Sequence, residues 1–337
     1  MEIAARAFVK PVVFVSRCLG FAACRYDGVA TGSDLVEAMR PHVEFRAVCP
    51  EMAIGLGVPR ERIRIVRAGR TLRLVQPATG RDLTNSMTRF AELRLTPANG
   101  FDGFILKSRS PSCGISDAKR YSRADARDPV GRGAGFFAAA ALRKFPDLPI
   151  EDEARLADRR LREHFLTRLF TQAAFEEVAR TRLLKLLVQF QAENEKLLEA
   201  HSRKDAGELR RIVANRERRS LDALLPDYRA RLARALARPA RPGSNVRALR
   251  RAMESLSKPL TARERARFLA ALEKYRAGKL PLSAPRRILR GWIAKNPDQK
   301  LLARQTFFEP YPKELDAPER CCPPTRARGR RIGRAAR

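Results

Sequence analysis

PVVFVSRC, residues 11–18, reads as a buried strand that runs out at a cysteine, and the same arrangement recurs twice in the first 120 residues. VEFRAVC (43–49) ends on Cys49, and FDGFILKS (101–108) stops shortly before Cys113. Short continuous apolar runs bounded by polar or Gly-containing segments mark strands covered on both faces. With helical stretches between them, these runs fit an α/β domain on a mainly parallel, Rossmann-like sheet. In such a sheet the C-terminal strand ends share one edge, and loops leaving that edge build the ligand site. Cysteines far apart in sequence are thereby placed to converge.

Between these strands, Ser33 is expected to cap a helix through DLVEAMR, and Thr84 another through NSMTRFAEL. IRIVR (63–67) and TLRLVQ (71–76) flank a Gly-containing turn and predict a hairpin added to the sheet. Past FFAAAALRKF the pattern becomes helical throughout. The stretch from His164 to His201 reads as two helices or one broken one, and Thr261 with Glu264 forms a capping box whose helix ends near Gly278. PARPGSN (239–245) reads as a connector. The expected organisation is an α/β domain over 1–150, an all-α domain over 155–320, and a disordered basic tail over 321–337.

The net charge is +32, with a pI near 11.2. Residues 1–150 carry 24 Lys and Arg against 14 Asp and Glu, and residues 151–337 carry 45 against 23, so the helical half holds +22 of the excess. A GC-rich genome explains Arg over Lys but not base over acid, and a polyanionic partner, nucleic acid, is the expectation. No apolar run reaches bilayer length and no basic amphipathic face stands out, which argues against a membrane. The N-terminus has a lysine within its apolar stretch and no small-residue cleavage pattern, so the expected compartment is the cytoplasm, where thiols stay reduced. GLGVPR lacks the spacing of a dinucleotide or Walker loop, so no nucleotide cofactor is expected, and no nucleophilic triad is apparent.

That leaves Cys18, Cys24, Cys49 and Cys113 as the chemistry-bearing cluster of the first half. Structural zinc sites show C-x₂₋₄-C pairs, often with His; here there is one C-x₅-C, two singletons and three histidines in the chain. Thiolates from separate loops suit an iron-sulfur cluster better, with buried inert thiols as the bland alternative. Cys321 and Cys322, adjacent in the basic tail, are assigned no role.

SRCLGFAACRYDG, VCPEMAIGLGVPR and ILKSRSPSCG together resemble the thiouracil desulfurase (TudS) family over about the first 120 residues. FQAENEKLLEAHS, YRAGKLPLSAPRRILRGW and NPDQKLLARQTFFEPYP are similar to the YbgA-like helical domain, though Gln191 stands where His is expected. The fusion resembles the RudS-type desulfidases, which act on 4-thiouridine in tRNA. The resemblance implies a [4Fe-4S] cluster on Cys18, Cys49 and Cys113 with one open iron. It leaves Cys24 out, because relatives of this arrangement carry an aliphatic residue before RYDG. It further implies hydrolytic, non-redox release of hydrogen sulfide.

Glu51, two residues beyond a ligand, is the expected activator of water, against a plain helix-start carboxylate. Ser110 is expected to bind the pyrimidine edge or relay a proton, with Ser108 and Ser112 as alternatives, and Asp27 as a further acid or orienter against a turn residue. The arginines of GVPRERIRIVRAGRTLR (57–73) are placed to hold phosphates, and Trp292 is expected in the core. The runner-up readings are a desulfurase of free thiopyrimidines such as 2-thiouracil and a nucleic-acid-binding or regulatory protein with a structural metal centre.

Overall fold

The strand β1 (Val12–Ser16) is enclosed from Val13 onward and pairs in parallel with β2 (Glu44–Val48) on one side and β6 (Gly103–Leu106) on the other. A computed structural model describes residues 6–96, 100–256, 260–296 and 298–316; the tail with Cys321 and Cys322 lies outside the described residues. The sheet order is β2-β1-β6-β9, all parallel, with β9 (Ile150–Asp152) as the outer strand. Successive side chains of β1 point to opposite faces. Phe14 packs with Phe104 and Phe137 beneath α3 (Thr84–Arg94) and α4 (Phe136–Lys144), whereas Val13 and Val15 meet α1 (Asp34–Met39) and α5 (Arg159–Thr181). Helices on both faces explain why β1 carries no polar alternation. Phe14 has ring centroids of Phe137, Phe104 and Phe101 at 4.8, 5.5 and 5.7 Å, so truncating it to Ala costs about 3–5 kcal/mol.

Two local expectations are corrected. The hairpin β3 (Arg64–Ala68) and β4 (Thr71–Gln76) forms, but in a second sheet of order β5-β4-β3-β7-β8, with β5 at Arg81–Asp82, β7 at Ala118–Tyr121 and β8 at Gly131–Gly133. Only Ile65 of β3 is fully buried, which suits a sheet with a wet face and not the doubly covered parallel one. Thr84 is the first residue of α3 and not its cap: Asp82 Oδ1 accepts from Thr84 N at 2.8 Å, while Thr84 Oγ1 accepts from Leu74 N. Ser33 does cap α1, accepting from Val36 N.

The second half is helical. α5 ends where Arg182 turns left-handed at φ +57, and α6 (Leu184–His201) follows. α7 (Arg203–Ala214), α8 (Leu221–Ala235), α9 (Pro242–Glu254), α10 (Ala262–Arg276), α11 (Ser283–Ala294) and α12 (Lys300–Ala303) complete it. α9 begins inside the expected connector, with Pro242 in the first turn, where a missing N–H costs nothing. The capping box of Thr261 and Glu264 is present, and α10 closes with Gly278 at φ +73. Trp292 is buried edge-on to Phe268 at 5.3 Å. The first half of α5 covers the sheet and its second half enters the helical core, which ties the two together. No helix among the described residues is long and apolar enough to cross a membrane.

Candidate active site

The three strand ends open on one cavity of about 510 Å³. After β1 the chain folds back, with Leu19 N bonded to Ser16 O and both Phe21 N and Ala22 N bonded to Arg17 O, and this turn carries Cys18 and Cys24 to the cavity. After β2, extended Cys49 is the N-cap of α2 (Pro50–Ala53), so Glu51 lies in the first helical turn. After β6, Ser110 Oγ accepts from Ser112 N at 3.2 Å and Cys113 N at 3.0 Å, closing the loop that presents Cys113. The start of α4 holds that loop from behind, with Phe136 N and Ala138 N donating to the carbonyls of Pro111 and Ser112. Gly135 is required here: a Cβ would lie 2.6 Å from the Ser112 carbonyl carbon.

Cys18, Cys24, Cys49 and Cys113 all line the cavity, and all are free. Burial first, then the neighbouring cysteines, pushes the Cys18 thiol up to about 12 and that of Cys24 up to about 11. Cys113 is also raised well above the ordinary thiol range, mainly by its enclosure. The Cys49 thiol contacts the Cys24 carbonyl at 3.9 Å. The raised thiols of Cys18, Cys24 and Cys113 stay protonated alone and ionise when a cation compensates the crowded thiolates. Among the described residues no three His, Cys, Asp or Glu side chains are grouped tightly enough for a single ion. Thiols carried by separate strand-end loops, with no histidine in the cavity lining, suit an iron-sulfur group better than a zinc site.

Glu51 is fixed on both oxygens. Arg60 Nε and Nη2 donate to Oε2 at 3.0 and 2.7 Å, and Ser112 Oγ donates to Oε1 at 3.0 Å. Ser112 is fully buried behind the carboxylate and does not line the cavity. Ser108 does line it, but its hydroxyl donates to Glu153 Oε1 at 2.7 Å, and its N–H donates to Oε2 at 2.8 Å. Lys107 Nζ pairs with the same carboxylate. Ser110 spends its oxygen on two backbone donors and keeps its hydrogen for a ligand. Asp27 stands outside the cavity lining, held by Arg25 at 3.0 Å and accepting from Val29 N.

The structure adds the partners of these residues and one residue, Glu153, that the sequence did not single out. Cys24 joins the thiol cluster, Arg60 clamps Glu51, and Glu153 at the end of β9 anchors the β6 loop. The arginine stretch around residue 60 does flank the mouth, with Arg62 over the Tyr26 ring at 4.7 Å and Arg64 over Tyr121 at 4.5 Å. Eight Arg and Lys side chains line the cavity; Arg25, Arg60 and Lys107 are paired with Asp27, Glu51 and Glu153, and among the described residues Arg17, Arg62, Arg64, Arg109 and Lys119 make no salt bridge. An anionic ligand is the one such a wall attracts.

Comparison with known proteins agrees with this architecture. The family described as 2-thiouracil desulfurase matches residues 13–153, and a protein family of unknown function, DUF1722, matches residues 196–312. The uncharacterized protein YbbK of Bacillus subtilis (strain 168) is 32% identical over 111 residues, covering 31% of this chain and 73% of YbbK. The uncharacterized protein YbgA of Escherichia coli (strain K12) is 28% identical over 158 residues, covering 47% of this chain and 83% of YbgA. A solved structure of the [4Fe-4S]-dependent thiouracil desulfidase TudS is 32% identical, covering 44% of this chain and 94% of that one, with a TM-score of 0.37. Through residues 13–153, with the cysteine cavity at its strand ends, the chain belongs to the 2-thiouracil desulfurase family, joined to a DUF1722 helical domain of the YbgA kind.

Proposed function

We propose that the chain is an iron-sulfur-dependent, non-redox desulfidase that converts 4-thiouridine in tRNA to uridine and releases hydrogen sulfide. The observation that carries this reading is the opening of Cys18, Cys49 and Cys113 onto one cavity beside a carboxylate held on both oxygens. Cys18, Cys49 and Cys113 would hold a [4Fe-4S] cluster with one iron free of protein ligands, which supplies Lewis-acid polarisation of a carbon–sulfur bond when bound.

The chain's own residues do the rest. Glu51 accepts a proton from the attacking water, and its clamp by Arg60 and Ser112 keeps it aimed at the cavity. The Ser110 hydroxyl donates to the pyrimidine edge or returns a proton to the departing sulfur. Water adds to the ring carbon and the carbon–sulfur bond breaks; oxygen stays as the carbonyl and sulfur departs with two protons. No electrons are exchanged with the solvent.

The choice of tRNA over a free base rests on charge. A free thiouracil needs no phosphate-binding surface, yet Arg and Lys dominate the cavity wall and the helical half carries +22. A cytoplasmic setting, where thiols stay reduced, goes with this reading. The test is anaerobic reconstitution with iron and sulfide followed by incubation with thiolated tRNA or free 2-thiouracil. Loss of 4-thiouridine from tRNA is the expected result. Turnover of 2-thiouracil beside untouched tRNA would replace this reading with the free-base one.

A further inference from the structure

The helical domain holds a second cavity, of about 430 Å³, with features of a built site. It lies where three helices begin: α5 at Asp158 and Arg159, α9 at Pro242, and α11 beside Pro281 and Leu282. Asp158 caps α5, but α9 and α11 have no side-chain cap, so the positive ends of their dipoles are unneutralised there. Four arginines line it. Among the described residues Arg159, Arg160 and Arg276 make no salt bridge, and all three are exposed. The fourth, Arg286, is 6% exposed, gives Nη1 to Glu163 Oε1 at 2.8 Å and stacks over Phe307 at 4.9 Å, and its buried Nε has no partner. Leaving a buried cationic N–H unmet is costly unless something arrives to accept from it.

The other polar groups are acceptors or neutral donors. His164 and His201 stack at 5.8 Å. His201 Nδ1 lies 3.1 Å from the Arg238 carbonyl, which can only accept, so its Nε2 carries a lone pair. His164 Nδ1 is buried and unpartnered. Burial, more than any neighbour, lowers the pKa of both rings, to about 3 and about 4, so both are neutral near pH 7. Asn245 Nδ2 donates to Tyr275 Oη at 2.8 Å, which frees the phenol hydrogen. Two imidazoles alone suggest a metal, but no third ligand is grouped with them among the described residues.

We propose that this cavity binds a phosphomonoester of mononucleotide size. Its phosphate lies among Arg159, Arg160, Arg276 and the Nε side of Arg286, and its hydroxyl or ring N–H groups donate to His164 and His201. The volume lies within the range of small-ligand sites. The ligand is either a free nucleotide or the phosphorylated end of an RNA. The inference is independent of the desulfidase reading.

Calorimetry on the full chain with 5′-adenosine monophosphate tests it, since a purine does not mimic a thiopyrimidine. Binding is expected at one site, about tenfold or more weaker for adenosine and for the double variant R160A/R276A, whose melting temperature should match the parent. Equal affinity for adenosine, full affinity in the variant, or no binding at millimolar nucleotide would overturn the site. Competing RNA then identifies the source: displacement only by a 5′-phosphorylated transcript points to an RNA end, and displacement by neither form points to a free nucleotide. Equal displacement by phosphorylated and dephosphorylated RNA would contradict recognition of a monoester.

Discussion

Ser112 Oγ donates to Glu51 Oε1 across 3.0 Å, so the loop that presents Cys113 also aims the carboxylate that opens α2. Thiol and carboxylate are thus set by one piece of backbone.

Glu51→Gln keeps the size and the Ser112 contact but removes the basic oxygen. Turnover is expected to fall by about 10²–10⁴-fold with iron content unchanged. Ser112→Ala frees one oxygen and leaves the Arg60 clamp, so its loss should be smaller and appear mainly in kcat. Steady-state kinetics with parallel iron assays distinguish the two; wild-type rates for the Glu51 variant would remove it from the mechanism.

Cys24 shares the cavity with the three proposed ligands yet is not counted among them. Cys24→Ser should keep the visible absorption of the reconstituted cluster, whereas serine at Cys18, Cys49 or Cys113 should abolish or sharply reduce it. Loss of the cluster in the Cys24 variant would mean four protein ligands and no open iron.

Gly135→Ala inserts a methyl group 2.6–2.7 Å from the backbone of Pro111 and Ser112. Overpacking against rigid backbone costs about 1–3 kcal/mol. A lower melting temperature is expected together with weaker iron retention, because the displaced segment is the Cys113 loop. Unchanged melting and iron content would show that this loop tolerates displacement.

Acid should destabilise the helical domain through His164 and His201, whose folded pKa values lie below the ordinary 6.5, at about 3 and about 4. The unfolded chain therefore takes up protons first; stability is full above about pH 6.5 and falls as pH drops toward 4, by up to about 1.4 kcal/mol per pH unit per ring. Asp102 works the other way, since burial raises its pKa to about 6 and protonation on acidification favours the fold. Urea midpoints at pH 7 and pH 5 measure the balance, and His164→Gln should flatten the slope. An equally steep slope in that variant would assign the acid sensitivity elsewhere.

The parallel core was legible because β1 and β6 are continuous apolar runs, and the convergence of their cysteines followed from sheet topology. β9 was not, since Ile150, Glu151 and Asp152 carry no strand pattern of their own and pair only because β6 offers an edge. The hairpin's existence was readable, but not its sheet, because a period of two reports a wet face and not the neighbour. Arg60 lies nine residues from Glu51, and only the return of the chain after α2 brings them together. His164 and His201 sit on different helices, so no local spacing announced their stack.

The most direct test of the central claim is mass analysis of nucleosides from thiolated tRNA treated with the anaerobically reconstituted protein in ¹⁸O-labelled water. A water-derived oxygen in each new uridine, with one sulfide released per uridine, is the predicted result. Retention of 4-thiouridine by a protein with a full complement of iron, or uridine without the label, would contradict it.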